Sequence, residues 1–167
     1  MRRSIIGSIL LLLLVGGCNS HSIGGSGSVV RSTHSVGEKL DQFHAAAARA
    51  DETAFFDCFA PDGVFIGTDA TERWDLVAFR AFAHPYFAQG KGWTYKPTAR
   101  HITIAPTGDV AWFDEMLHSD SYGTCRGSGV LRFINGQWKI AQYILSIPLP
   151  NSLAKSVVEM IRAENSK

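Results

Sequence analysis

With 167 residues, 46% apolar and 19% charged, the chain has room for one globular domain with a hydrophobic core. Its formal charge of +1, without a basic stripe or a basic tract interleaved with aromatics, argues against a nucleic-acid partner. No Cys-x-x-Cys or His-x-x-x-His spacing occurs, so neither a metal nor a cofactor is expected.

Residues 1–17 begin with a basic pair, Arg2 and Arg3, followed by an apolar run from Ile5 to Val15. That run is too short to span a bilayer, which needs about 20 residues, and fits the core of a signal peptide. It leads into Leu14-Val15-Gly16-Gly17-Cys18, which resembles the lipobox of bacterial lipoproteins. The resemblance implies cleavage before Cys18, lipidation of Cys18 and attachment to the periplasmic face of a bacterial membrane. Asn19, in place of the aspartate associated with inner-membrane retention, points to the outer membrane. Losing Arg2 and Arg3 takes the charge from +1 to −1, because no acidic residue leaves with them. Residues 18–35 are rich in Gly and Ser without periodicity and read as a flexible tether.

A domain is expected over 36–151. Val36, Leu40, Phe43, His44 and Ala47 recur at helical spacing, predicting a helix from Val36 to Ala50 with Ser35 as N-cap. A short helix from Glu52 to Phe59 should stop at the turn signal Pro61-Asp62-Gly63, before a strand Val64–Gly67. A polar loop from Thr68 ends in Asp75, a candidate cap for a helix whose face is Leu76, Phe79, Phe82 and Ala83. Pro85 marks a break or a new start. Four strands follow: Tyr95–Ile104, interrupted early by Pro97, then Val110–His118, Thr124–Ile134 and Gln137–Ile147. Asn135-Gly136 is a strong two-residue hairpin signal. Pro148 and Pro150 end the sheet, and residues 152–167 form a tail or short helix. Helices followed by a strand meander indicate an α+β domain. Cys58 and Cys125 are expected as two separate buried thiols.

Several segments carry a family resemblance: the helix Leu40–Asp51, the strand Gly63–Thr68, the Asp69–Trp74 loop and the closing Gly136–Tyr143. Together they resemble the SnoaL-like branch of the nuclear transport factor 2-like superfamily, over Val36 to about Asn151. The resemblance implies a cone: a strongly curved antiparallel sheet wrapped around three helices, with a pocket inside. It also implies sheet-face pairing into a homodimer. Ketosteroid isomerases, polyketide cyclases and dehydratases share that fold. The isomerase trio of aspartate, tyrosine and protonated aspartic acid has no match among Tyr86, Tyr95, Tyr122 and Tyr143. The inner-strand acid/base groups of the cyclases correspond loosely to Asp114 and Glu115.

Turn geometry sets an expected register. A two-residue hairpin pairs Phe133 with Trp138, Leu131 with Ile140, Gly129 with Gln142 and Gly127 with Ile144. One face then carries Cys125, Gly127, Gly129, Trp138, Gln142 and Ile144, joined by Phe113 and Glu115 if the preceding loop preserves parity. A bulge would exchange these assignments. Phe65, Trp74, Phe113, Gly127, Gly129, Trp138, Gln142 and Ile144 are the expected pocket residues, the glycines leaving room for a ligand or another backbone. Glu115 is the candidate general acid or base; the plainer reading is a carboxylate hydrogen-bonded to a neighbour such as His101. His101 is the second candidate proton carrier. Asp114 and Arg126 are expected as a structural ion pair on the opposite face. His44 and His118 read as surface or core histidines, and Arg73 as solvated. The expected occupant is a small apolar or partly polar organic molecule. It is either bound without reaction or subjected to proton transfer at a carbonyl.

Overall fold

The computed structural model describes residues 31–166. The expected signal segment, Cys18 and residues 18–30 of the tether lie outside the described residues. Among the described residues, no helix is long and apolar enough to cross a membrane.

The first helix, α1, runs Thr33–Ala48. Its cap is Ser32 rather than Ser35, and the two form a reciprocal capping box in which each side chain accepts the other's backbone N–H. The last residues of the expected tether are therefore helical. Helix α2, Glu52–Asp57, is capped by Asp51. Helix α3, Leu76–Phe87, is capped by Asp75 as expected, but it runs through Pro85 instead of breaking there. A proline in the interior removes one intrahelical bond, and α3 ends within two residues of it.

Strand β1 (Phe59–Ile66) begins earlier than Val64 because Pro61-Asp62-Gly63 is an irregularity inside the strand rather than a turn. Gly63 is required there, since a Cβ would stand 2.9 Å from Ala60 O and 3.0 Å from Ile140 O. Strands β2 (Arg73–Asp75), β3 (Lys96–Ile104), β4 (Val110–Ser119), β5 (Gly123–Ile134) and β6 (Gln137–Ser146) complete one six-stranded sheet ordered β2-β1-β6-β5-β4-β3. The meander β3 to β6 is antiparallel throughout, whereas β1 joins β6 in parallel. Asn135 and Gly136 both have positive φ, 49° and 81°, as the tight primed turn between β5 and β6 demands. A final helix, α4 (Ala154–Glu164), follows a short 3-10 turn.

Strand alternation places the core. Ala111, Phe113, Glu115 and Leu117 of β4 are buried, while Trp112 and Asp114 between them and His118 after them are exposed. Against this inner face pack Val36, Leu40, Phe43 and Ala47 of α1, Phe55 and Phe56 of α2, and Phe79 and Ala83 of α3. The expected parity of the β4–β5 connection holds, with Glu115 opposite Gly127 and Phe113 opposite Gly129.

The β5–β6 register departs from expectation at one place. Phe133–Trp138 and Leu131–Ile140 pair as expected, but Val130 pairs with Gln142, so Ala141 is an extra residue on β6. Beyond this bulge every β6 side chain changes face. Tyr143 and Leu145 are buried, and Gln142 and Ile144, expected inside, lie on the outer face and are half-buried. The bulge also explains Gly129, whose absent Cβ would collide with the Gln142 carbonyl oxygen.

Candidate functional site

A cavity of about 140 Å³ opens inside the cone. Its walls are Phe65, Trp74, Phe79, Phe82 and Trp93. Glu72, Tyr95, Tyr122, Gly67 and Thr68 are further lining residues, as are His44 and Tyr143. The wall rings are nearly coplanar in orientation: Phe65 and Tyr143 differ by 4°, Trp74 and Phe79 by 7°, Phe82 and Trp93 by 8°. Their positions follow from local structure. Phe65 and Trp74 are directly opposite in the β1–β2 pair, and Phe79 and Phe82 recur three apart on α3.

Behind His44 and Tyr143 lies a buried carboxylate. Glu115 is 0% exposed, and both of its oxygens are engaged. Oε1 accepts from His44 Nε2 at 2.7 Å and from the Tyr143 hydroxyl at 2.9 Å, and Oε2 accepts from Arg100 Nε at 2.7 Å. Arg100 reaches on to α1 through Nη1, which donates to Asp41 Oδ1 at 2.8 Å and to the Gly37 carbonyl at 3.1 Å. Burial is the largest influence on Glu115 and pushes its pKa up. The hydrogen bonds and charges of His44 and Arg100 together outweigh it, leaving the carboxyl below its ordinary range and therefore ionised. Burial, reinforced by the Glu115 charge, raises the Tyr143 phenol well above its ordinary value, so it remains a neutral donor.

Glu115 is thus not the group that meets a ligand. An ionised carboxylate can only accept, so His44 Nε2 carries the shared hydrogen. Among the described residues Nδ1 has no hydrogen-bond partner and is not a fully enclosed atom. The members of this network that line the cavity are His44, on the buried face of α1, and Tyr143.

The other expected site residues divide clearly. Phe65 and Trp74 line the cavity. Phe113 and Trp138 are buried core residues outside its lining. Phe113 packs on Tyr143, and the Trp138 indole N–H donates to Ser35 Oγ at 3.1 Å. Gly127 and Gly129 do not floor a pocket. The Tyr143 hydroxyl occupies the space over Gly127, and the bulge carbonyl that over Gly129. His101 is exposed and pairs with Asp114 at 3.2 Å, far from the role of a buried proton carrier. The expected Asp114–Arg126 pair does not form. Arg126 stands opposite Met116 while Asp114 stands opposite Ser128, and His101 is directly across on β3. Cys58 and Cys125 are both buried free thiols.

His44 already stood on the apolar face of the first helix in the sequence, and a histidine at such a position needs a buried partner. That was its one available signal. Arg100 was hidden because the register shifts between Pro97 and Ala99, so its alignment with Glu115 depends on an irregularity. Tyr143 was hidden by the Ala141 bulge.

These features define a cone-shaped α+β domain of the nuclear transport factor 2-like type, with a lined cavity inside the cone. A family profile for the SnoaL-like domain matches residues 36–150, and the chain belongs to that family. No curated protein matches the chain. Solved structures share the fold. A nuclear transport factor 2-like protein of unknown function from Pseudomonas putida KT2440 is 16% identical, with 70% of this chain and 86% of that one covered and a TM-score of 0.58. A Shewanella frigidimarina protein provisionally named a ketosteroid isomerase is 22% identical, covers 72% and 98%, and has a TM-score of 0.54. A Streptomyces avermitilis protein provisionally named a dehydratase is 16% identical, covers 70% and 96%, and has a TM-score of 0.58.

Proposed function

We propose that this is an exported, lipid-anchored domain that binds a small, mostly apolar molecule in its cone, with His44 and Glu72 among the polar groups that line it. The aromatic cavity carries this reading. Its volume, about 140 Å³, is close to the roughly 150 Å³ of an engineered cavity that takes up benzene. Trp74 and Trp93 in the lining make binding visible. Titrating the purified domain with small cyclic ketones, phenols and amines should quench or shift tryptophan fluorescence, and Trp74→Leu should reduce that response. Absence of saturable binding across all three classes would sink the reading.

Export and anchoring rest on Arg2, Arg3, the apolar run and the sequence ending in Cys18. Cys18→Ala should move the protein out of the membrane fraction; unchanged partitioning would refute the anchor. Self-association through the outer sheet face, where Trp112 is 48% exposed, accompanies this proposal. Sedimentation of the wild type and Trp112→Ser reads it, and identical monomeric behaviour would dismiss it.

The His44–Glu115 pair favours a second reading: proton transfer on a carbonyl compound, of isomerase or dehydratase type. In this reading His44 Nδ1 takes the proton, and Glu115 orients the imidazole and stabilises the charge it acquires. With a substrate in hand, His44→Gln should abolish turnover while ligand binding stays within a few-fold. Turnover surviving that substitution would dismiss this mechanism.

A further inference from the structure

Charge distinguishes the cavity from a simple apolar pocket. Its lining holds aromatic rings, one carboxylate, Glu72, and one imidazole, His44, which is paired with Glu115, but no lysine or arginine. Glu115 behind it is matched by Arg100, so Glu72 is the unbalanced acid. Among the described residues Glu72 has no cationic partner; its Oε2 accepts the Asp69 N–H at 3.1 Å. The chain makes room for this group. Gly67 lies directly beneath the Glu72 carboxylate, and a Cβ there would collide with Oε2 and stand 3.0 Å from the Glu72 Cβ. Tyr95 lies close enough to feel the charge. Burial chiefly, with Cys125, Tyr122 and Glu72 adding to it, pushes its phenol up to about 12, so it stays neutral.

Aromatic faces attract a cation through their quadrupoles, most strongly when water is excluded, and cages of such rings recognise quaternary ammonium groups. Glu72 adds a carboxylate, an acceptor only, to this aromatic lining. A site of this chemistry favours an organic cation over a neutral molecule of the same shape and disfavours an anion.

Resting on the binding reading above, we propose that the natural ligand is a small organic cation, an alkylated amine or quaternary ammonium compound. Its charged group sits among Phe65, Trp74, Phe79 and Trp93, with Glu72 as counter-ion.

Three probes of matched shape test this: choline, its neutral carbon isostere 3,3-dimethylbutan-1-ol, and the anion 3,3-dimethylbutanoate. Each is titrated into the purified domain by calorimetry and tryptophan fluorescence. Choline should bind at least tenfold more tightly than the alcohol, and the anion more weakly than either. Glu72→Gln keeps the acceptor for Asp69 N–H. It should cut the preference for choline over the alcohol severalfold, with an unaltered melting temperature showing that the loop persists. Equal binding of choline and the alcohol, tighter binding of the anion, or a choline preference untouched by Glu72→Gln overturns the cation assignment and leaves the binding reading standing. If none of the three binds at millimolar concentration, the cation assignment falls, and binding of ketones or phenols then decides the fate of the broader reading.

Discussion

Gly127 offers a sharp test of how the buried network is built. A Cβ at this position would collide with the Tyr143 hydroxyl and stand 2.9 Å from both Tyr143 Cζ and Glu115 Oε1. To restore an ordinary contact the hydroxyl must retreat by about 1 Å, which carries its 2.9 Å bond to Glu115 out of hydrogen-bonding range. Losing a hydrogen bond to a buried carboxylate costs about 1.5–3 kcal/mol, and forcing extra volume into a packed core about 1–3 kcal/mol more. Gly127→Ala should therefore destabilise the domain by roughly 3–5 kcal/mol, lowering its melting temperature by something like 10–20 °C. A third to a half of that loss, roughly, should depend on the tyrosine hydroxyl. In a Tyr143→Phe background the same alanine should cost about 1.5 kcal/mol less, a coupling measurable by urea denaturation of the four proteins in a double-mutant cycle. If Gly127→Ala costs under about 1 kcal/mol, or the coupling is below about 0.5 kcal/mol, Gly127 is not there to seat Tyr143.

Acid stability reports on Glu115. Its folded pKa lies below the ordinary 4.5, so its contribution is present above that value and is lost as pH falls through the folded pKa. Glu115→Gln should flatten acid denaturation below about pH 5 and lower stability near neutrality by roughly 3–5 kcal/mol, because Arg100 loses its buried partner; an unchanged acid midpoint would contradict this. Gly129→Ala sets a Cβ against the Gln142 carbonyl at the bulge and should be at least as damaging as Gly127→Ala. Unlike that substitution, it should show no relief from Tyr143→Phe in the same denaturation series. Asp114→Ala touches only an exposed pair with His101 and should move stability by no more than about 0.5 kcal/mol in either direction; a large loss would show a partner on the outer face that the register does not provide.

Much of the architecture was legible in order. Local signals sufficed where short-range chemistry decides: Asp75 capping α3, Asn135-Gly136 turning β5 into β6, and the helical spacing of Leu40, Phe43, His44 and Ala47. The inward face of β4 also followed from alternation, which is why Glu115 could be singled out and Asp114 placed outside. The expected pocket face of β6 failed at an irregularity. One extra residue at Ala141 moved Tyr143 inside and Gln142 and Ile144 outside, and no pattern in the strand announces it.

The class of domain and the single inward carboxylate of β4 were readable from the chain, because period-2 alternation and turn chemistry are local properties. What that carboxylate does is settled by contacts distant in sequence. Its partners come from α1, β3 and β6, separated from it by 71, 15 and 28 positions, and two of these three alignments depend on strand irregularities. Folding converts Glu115 from a candidate catalyst into the buried anchor of His44 and Tyr143. The cavity in front of them keeps its aromatic wall and Glu72, with His44 at its edge of the network.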